Sequence, residues 1–95
     1  MTIEHSKDYL RTLKRITKKR TLSSALIDTA IELYLEDKTD IRLQFKHITC
    51  KRDKNRHSIR ISNTQYRILM SITNDIALLV CICDHDDYDL RNKNC

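Results

Sequence analysis

Ninety-five residues, 33% of them charged and 40% apolar, suffice for one small domain spanning 1–95 and are too few for a large core. Glycine and proline are entirely absent, which excludes glycine-rich phosphate loops and with them P-loop and Rossmann nucleotide binding. The net charge of +5 is concentrated, with seven Lys or Arg against one Asp over residues 7–20 and seven against Asp53 over residues 42–60. Such a field suits a polyanion, nucleic acid first, or an acidic protein.

No apolar run approaches the roughly 20 residues of a membrane helix. The opening MTIEHSKDYL has neither the basic start nor the apolar segment of a signal peptide. A cytoplasmic protein without membrane attachment is expected, with its four cysteines (Cys50, Cys81, Cys83, Cys95) as reduced thiols.

In chain order, residues 1–5 form a short strand-like segment. Ser6 is a good N-cap with Asp8 in the first turn, and Tyr9, Leu10, Leu13 and Ile16 follow at helical spacing, ending near Lys19. Thr21, Ser23 or Ser24 caps a second helix whose stripe is Leu26, Ala30, Leu33 and Tyr34. The two helices read as an antiparallel hairpin, left through the polar residues 37–40.

From Ile41 the apolar period changes from 3.6 to 2. Ile41, Leu43 and Phe45 alternate with polar residues as a strand, and CKRDKNRH at residues 50–57 is a charged loop. Three further strands follow, carrying Ile59 and Ile61, then Tyr66, Ile68, Met70 and Ile72, then Ile76, Leu78, Val80 and Ile82. Asn74 and Asp75 make a hairpin turn between the last two. Strand phase turns these apolar sets toward the helices and leaves Arg60 and Arg67 on an open, partly basic face. Tyr66 turns inward. The expected architecture is α+β, with an N-terminal helical hairpin packed on a four-stranded antiparallel sheet.

The stretch SIRISNTQYRILMSITNDIALLVCICDHDDYD, following a helical hairpin, resembles the RelE/ParE superfamily of small bacterial toxins. The matching features are Arg60 on one strand, Tyr66, Arg67 and Ile68 opening the next, the apolar strand from Ile76 to Cys83, and the final His85 and Tyr88. The resemblance implies a microbial-ribonuclease-like fold and a toxin neutralised by a cognate acidic antitoxin. RelE-like members cut mRNA on the ribosome without a metal or other cofactor; ParE-like members inhibit DNA gyrase by binding. In the cutting branch Arg60 and Arg67 match the phosphate-holding positions, and His85 or Tyr88 the acid/base positions. Ser58 stands where some relatives carry Lys, so one cation is either missing there or supplied by Lys46, His47, Arg56 or His57, the residues expected to contact RNA phosphate. The acidic residues 84–89 are a second departure.

The residue types suit that chemistry on their own terms. Attack of a 2′-hydroxyl on its neighbouring phosphate needs a proton acceptor, a proton donor and cations for the developing charge. Histidine titrates near neutrality, and arginine's planar fork fits a phosphate. Cys81, Cys83 and His85 lack the usual zinc-ligand spacing; the cysteines read as buried thiols, and the alternative to an acid/base role for His85 is a plain turn residue after the strand. The leading expectation is a ribosome-dependent mRNA endonuclease. The alternatives are a gyrase inhibitor and a non-catalytic nucleic-acid-binding regulator.

Overall fold

The computed structural model of the chain describes residues 1–93. The elements run β1 (Thr2–His5), α1 (Lys7–Lys18), α2 (Ser24–Glu36), a 3-10 turn (Ile41–Leu43), β2 (Lys46–His47), β3 (Arg56–Arg60), β4 (Arg67–Thr73), β5 (Ile76–Cys83) and α3 (His85–Lys93). The sheet has five strands in the order β1-β5-β4-β3-β2, antiparallel except that β1 runs parallel to β5. Two parts of the expected architecture are thereby corrected. The sheet is mixed and gains β1 as an edge strand, and a third helix follows the last strand. Among the described residues no helix is long and apolar enough to cross a membrane.

Local signals place the first two helices as the sequence predicts. Ser6 caps α1 by accepting from the Tyr9 N–H at 3.0 Å, and Ser23 caps α2 by accepting from Ala25 at 3.1 Å. The end of α1 is a Schellman arrangement, in which the Thr21 N–H reaches Ile16 O and the Arg20 N–H reaches Thr17 O. Its left-handed residue is Arg20, with φ of 56°. Gln44, Ser62 and Asn74 also take positive φ, so in a chain without glycine ordinary residues carry the conformations glycine tolerates best. The alternation of Ile41, Leu43 and Phe45 proves misleading. Residues 41–43 wind into the 3-10 turn, Leu43 is buried, and Ile41 is 87% exposed.

The helix-facing core joins Tyr9, Ile16, Ile27, Ala30 and Tyr34 to Ile59, Ile61, Ile68 and Met70 of the sheet. β5 departs from simple alternation. Leu69 lies opposite Cys81 and Met70 opposite Leu79, so Val80 is an extra residue with no opposite number. This bulge reverses the phase of the strand. Ala77, Leu79 and Ile82 face the helix pair, whereas Cys81 and Cys83 join Leu69, Ile48 and Tyr88 in a second core under α3. Leu78 and Val80 therefore do not face the helix pair as strict period 2 predicts, and the second face of the sheet is partly covered.

Where β1 ends, α1 takes over its role as a partner of β5. The Ser6 hydroxyl donates to Val80 O at 2.9 Å, and the buried Thr12 hydroxyl accepts from the Ile82 N–H at 3.1 Å while donating to Tyr9 O at 2.9 Å. Two hydroxyls thus satisfy strand groups that no neighbouring strand meets. Thr12→Val keeps the side-chain shape but strands the buried Ile82 N–H. Urea unfolding is expected to show a loss of about 1–3 kcal/mol at unchanged m-value; an unaltered midpoint would contradict this role for Thr12.

Candidate functional site

The second face of the sheet presents its cations around one aromatic ring. Tyr88, buried on α3, has the Arg67 guanidinium carbon 5.3 Å and the Lys46 ammonium 5.8 Å from its ring centroid. Its phenol lies 3.2 Å from the hydroxyl of Ser58, a fully buried strand residue. Strand register explains the gathering, because Lys46 pairs with Ser58 and Ser58 with Leu69, while Arg67 lies two residues from Leu69 on the same face. Arg67 Nη2 donates to Gln44 Oε1 at 2.9 Å, whereas its buried Nη1 has no hydrogen-bond partner among the described residues. An unsatisfied guanidinium donor beside a second cation is well suited to a phosphate or carboxylate oxygen.

Arg60 lies directly opposite Arg67 in register, a like-charge pairing that costs energy unless the side chains diverge. They do diverge. Arg60 Nε donates to Thr64 O at 3.2 Å in the β3–β4 loop, and the residue lines a small hollow beside α2 and the 3-10 turn. Of the two arginines expected to share a phosphate, Arg67 alone touches the Tyr88 ring. Arg56 stands on the same face, 3.6 Å from Asp53 Oδ2, and Asp53 also accepts from Ser71 Oγ at 3.1 Å. Arg56 is thereby turned to organising the β2–β3 loop.

His47 and His57 pair across the edge strands on the opposite side of the sheet, with ring centroids 5.0 Å apart. His47 Nε2 bonds Lys54 O at 2.8 Å and His57 Nδ1 bonds Asn55 O at 2.7 Å, and among the described residues neither ring's second nitrogen has a hydrogen-bond partner. His57 also stacks on Phe45 at 5.1 Å. His85 is not a post-strand turn residue but the first residue of α3. Its exposed Nε2 lies 3.2 Å from Asp89 Oδ2 one turn on.

The acidic residues 84–89 prove to be a helix start. Asp84 Oδ1 accepts from the Asp87 N–H at 2.8 Å as an N-cap, with Asp86 and Asp87 in the first turn and Arg91 and Lys93 in the last. Arg91 then ties α3 to α1, meeting Asp8 at 2.9 Å and Asp87 at 3.2 Å. Although burial opposes its ionisation, hydrogen bonds from Arg11 and Arg91 hold the Asp8 carboxyl below its ordinary range. The cap-plus-basic-end pattern was present in the sequence and signals a helix.

Cys81 and Cys83 are buried free thiols, and the hydrogen bond of Cys83 with Cys81 together with burial pushes the Cys83 thiol up, away from thiolate chemistry. Cys50 is disulfide-bonded, contrary to the expectation of a reduced thiol; Cys95 lies outside the described residues. Among the described residues no three His, Cys, Asp or Glu side chains gather to hold a metal ion. A cleft of about 390 Å³ between the end of α1 and α3 is lined by Arg15, Lys19, Asp84, Asp87 and Arg91. It lies apart from the Tyr88 cluster.

No protein-family model and no curated protein sequence matches the chain. Solved structures do. The chain superimposes on YafQ in the Escherichia coli DinJ–YafQ complex with a TM-score of 0.72 at 12% identity, covering 88% of this chain and 92% of that one. A copper-bound mutant toxin from Helicobacter pylori gives 0.71 at 14% identity, with 90% and 96% covered. The Helicobacter pylori protein HP0892 gives 0.67 at 19%, with 93% and 98% covered. The α+β fold with its mixed sheet is the fold of these structures, and the resemblance read from the sequence is matched at the level of the backbone.

Tyr88→Phe removes the phenol from the buried Ser58 hydroxyl and leaves that hydroxyl without its partner. A loss of about 1–3 kcal/mol is expected in denaturant unfolding, with the ring platform for Arg67 retained. Full stability in the variant would show that the Ser58–Tyr88 contact contributes nothing to seating α3.

Proposed function

We propose that this chain is the toxin of a type II toxin–antitoxin system, a RelE-like endoribonuclease that cuts mRNA on the ribosome and so inhibits translation in the cytoplasm. Two lines support the reading. Its fold is shared with YafQ, which is seen in a toxin–antitoxin complex with DinJ. The observation that carries the nuclease reading is Arg67, whose buried Nη1 has no hydrogen-bond partner among the described residues while the Tyr88 ring and Gln44 hold the guanidinium in place.

In this reading Arg67 and Lys46 hold the scissile phosphate and offset its charge as it rises in the transition state. His85 transfers the proton. A carboxylate on one ring nitrogen orients it, as Asp89 does at Nε2, leaving Nδ1 for the 2′-hydroxyl. The 2′-oxygen loses its proton to His85 and attacks phosphorus. The 5′-oxygen leaves and receives a proton from the charged imidazole, giving a 2′,3′-cyclic phosphate and a 5′-hydroxyl. Tyr88 supports the cations from below, since its phenol is occupied by Ser58. Arg60 drops out of the catalytic set. The partners are an acidic antitoxin, the ribosome and mRNA.

A ParE-like reading, inhibition of DNA gyrase by binding alone, is favoured by one observation: Ser58 is fully buried against Tyr88, so this strand position offers no cation to a substrate. Expression in a bacterium separates the two. The nuclease reading predicts growth arrest with mRNAs truncated inside ribosomes, and a drop in cleavage of about 100-fold or more for Arg67→Ala and for His85→Ala. Arrest that survives the double substitution and brings DNA breaks would establish the gyrase reading instead. If His85→Ala cleaves normally while His47→Ala and His57→Ala do not, proton transfer belongs to the paired histidines.

A further inference from the structure

The cleft of about 390 Å³ between the end of α1 and the start of α3 plays no part in the phosphate site on Arg67. Its apolar lining comes from the buried Ile16 and Ile82, with the half-buried Tyr66 beside them. Its polar lining divides into occupied groups and open ones. Asp87 holds Arg91 Nε with both carboxylate oxygens, at 3.3 and 3.2 Å, and Arg91 also meets Asp8 at 2.9 Å. Asp84 caps α3 with Oδ1, and its Oδ2 has no partner among the described residues. Arg15 and Lys19 stand four residues apart on one face of α1. Neither side chain, nor the Tyr66 phenol, makes a hydrogen bond or ion pair among the described residues.

The open groups decide what the cleft suits. Two neighbouring cations fit a phosphate, yet Asp84 repels a bare anion or an acidic protein segment, and the cations repel a basic one. The occupant needs a negative end, a donor-bearing end and a flat body that covers apolar surface. A nucleotide has all three. Single-stranded RNA is read in this way, by aromatic side chains against the base and hydrogen bonds at its edge. The volume lies within the range of small-ligand sites. Position agrees as well. Tyr66 directly precedes Arg67 and turns to the opposite side of the sheet, and Asp84 directly follows Cys83, the register partner of Arg67. Cleft and phosphate site thus meet at one end of the β4–β5 pair.

We propose that this cleft binds one nucleotide, with its phosphate on Arg15 and Lys19 and its base edge on Asp84, and that it selects guanine. Guanine offers its N1–H and N2 amino group side by side to one carboxylate. Uracil flanks its single N–H with two carbonyl oxygens, which a carboxylate repels. Asp84 therefore has two roles in one side chain, capping α3 with one oxygen and reading a base with the other. The inference rests on the nuclease reading only for placing this nucleotide in an mRNA strand, where it determines which base lies near the cut.

NMR titration of the isotope-labelled full chain with guanosine and uridine 5′-monophosphates tests this. The guanosine nucleotide is expected to shift the amides of Lys19, Thr21 and Asp84 and to bind about tenfold more tightly than the uridine nucleotide. Arg67→Ala should keep that preference. Arg15→Ala and Lys19→Ala should each weaken both nucleotides alike, because a phosphate contact carries no base information. Asp84→Asn is the decisive variant. Asparagine caps a helix as well as aspartate does, so α3 keeps its start, while an amide in place of the open carboxylate oxygen should abolish the guanine preference. Equal binding of the two nucleotides by the unaltered chain, no shift at the cleft, or a preference that survives Asp84→Asn overturns the proposal. Shifts of the same amides by a glutamate-rich peptide but by neither nucleotide also overturn it and assign the cleft to a protein. Loss of selectivity with Arg67-dependent cleavage intact removes this site alone, whereas absent cleavage with selectivity intact removes the nuclease reading alone.

Discussion

The attachment of α1 to β5 governs much of what this small protein can present to a ligand. β1 pairs with β5 only through Leu79, and beyond that point the hydroxyls of Ser6 and Thr12 meet the strand's backbone at Val80 and Ile82. On the other side of the same segment the ladder to β4 slips by one residue at Val80. The bulge lets one strand serve two cores. Leu79 and Ile82 pack under the helix pair, and Cys81 and Cys83 pack under α3. Without the change of phase, Cys81 would turn toward the helix pair, and the seat that holds Tyr88 would lose that side chain.

From that seat the candidate site follows. Tyr88 is fixed by burial against Leu69, Cys81 and Cys83 and by its bond to Ser58, so its ring is a rigid platform for Arg67 and Lys46. Holding two cations near one ring partly offsets their mutual repulsion and limits the freedom they lose on binding an anion. Arg60 and Arg67 start opposite one another and separate because the Tyr88 ring and Gln44 take one, while the β3–β4 loop takes the other. The divergence gives a basic sheet two chemically distinct surfaces, one polar and cationic, the other apolar with a cationic rim.

Much of this was legible in the sequence where the signal is local. The Ser6 cap, the turn at Asn74 and the outward phase of Arg67 all rest on residues close in the chain, and each is found. What escaped depends on distant partners. The parallel pairing of β1 with β5 joins residues more than seventy positions apart, and no local pattern announces it. The bulge is invisible because period 2 runs unbroken through Leu78, Val80 and Ile82. Ile41, Leu43 and Phe45 alternate like a strand, yet Asp40 accepts from the Arg42 N–H and starts a 3-10 turn. For α3 the signal was local and was misread: four aspartates looked like an acidic departure, although Asp84 with Asp87 three residues on is a cap.

The central claim is that Arg67, held on Tyr88, receives an RNA phosphate. Guanidinium-detected NMR of the full chain tests it directly, with a short mRNA fragment made uncleavable by a 2′-deoxy substitution at the scissile position. The account predicts that the Arg67 Nη resonances shift on titration and that the Tyr88 ring protons move with them, while Arg60 stays in place. Shifts confined to the lysines and arginines of α1, with Arg67 and Tyr88 unmoved, would contradict it.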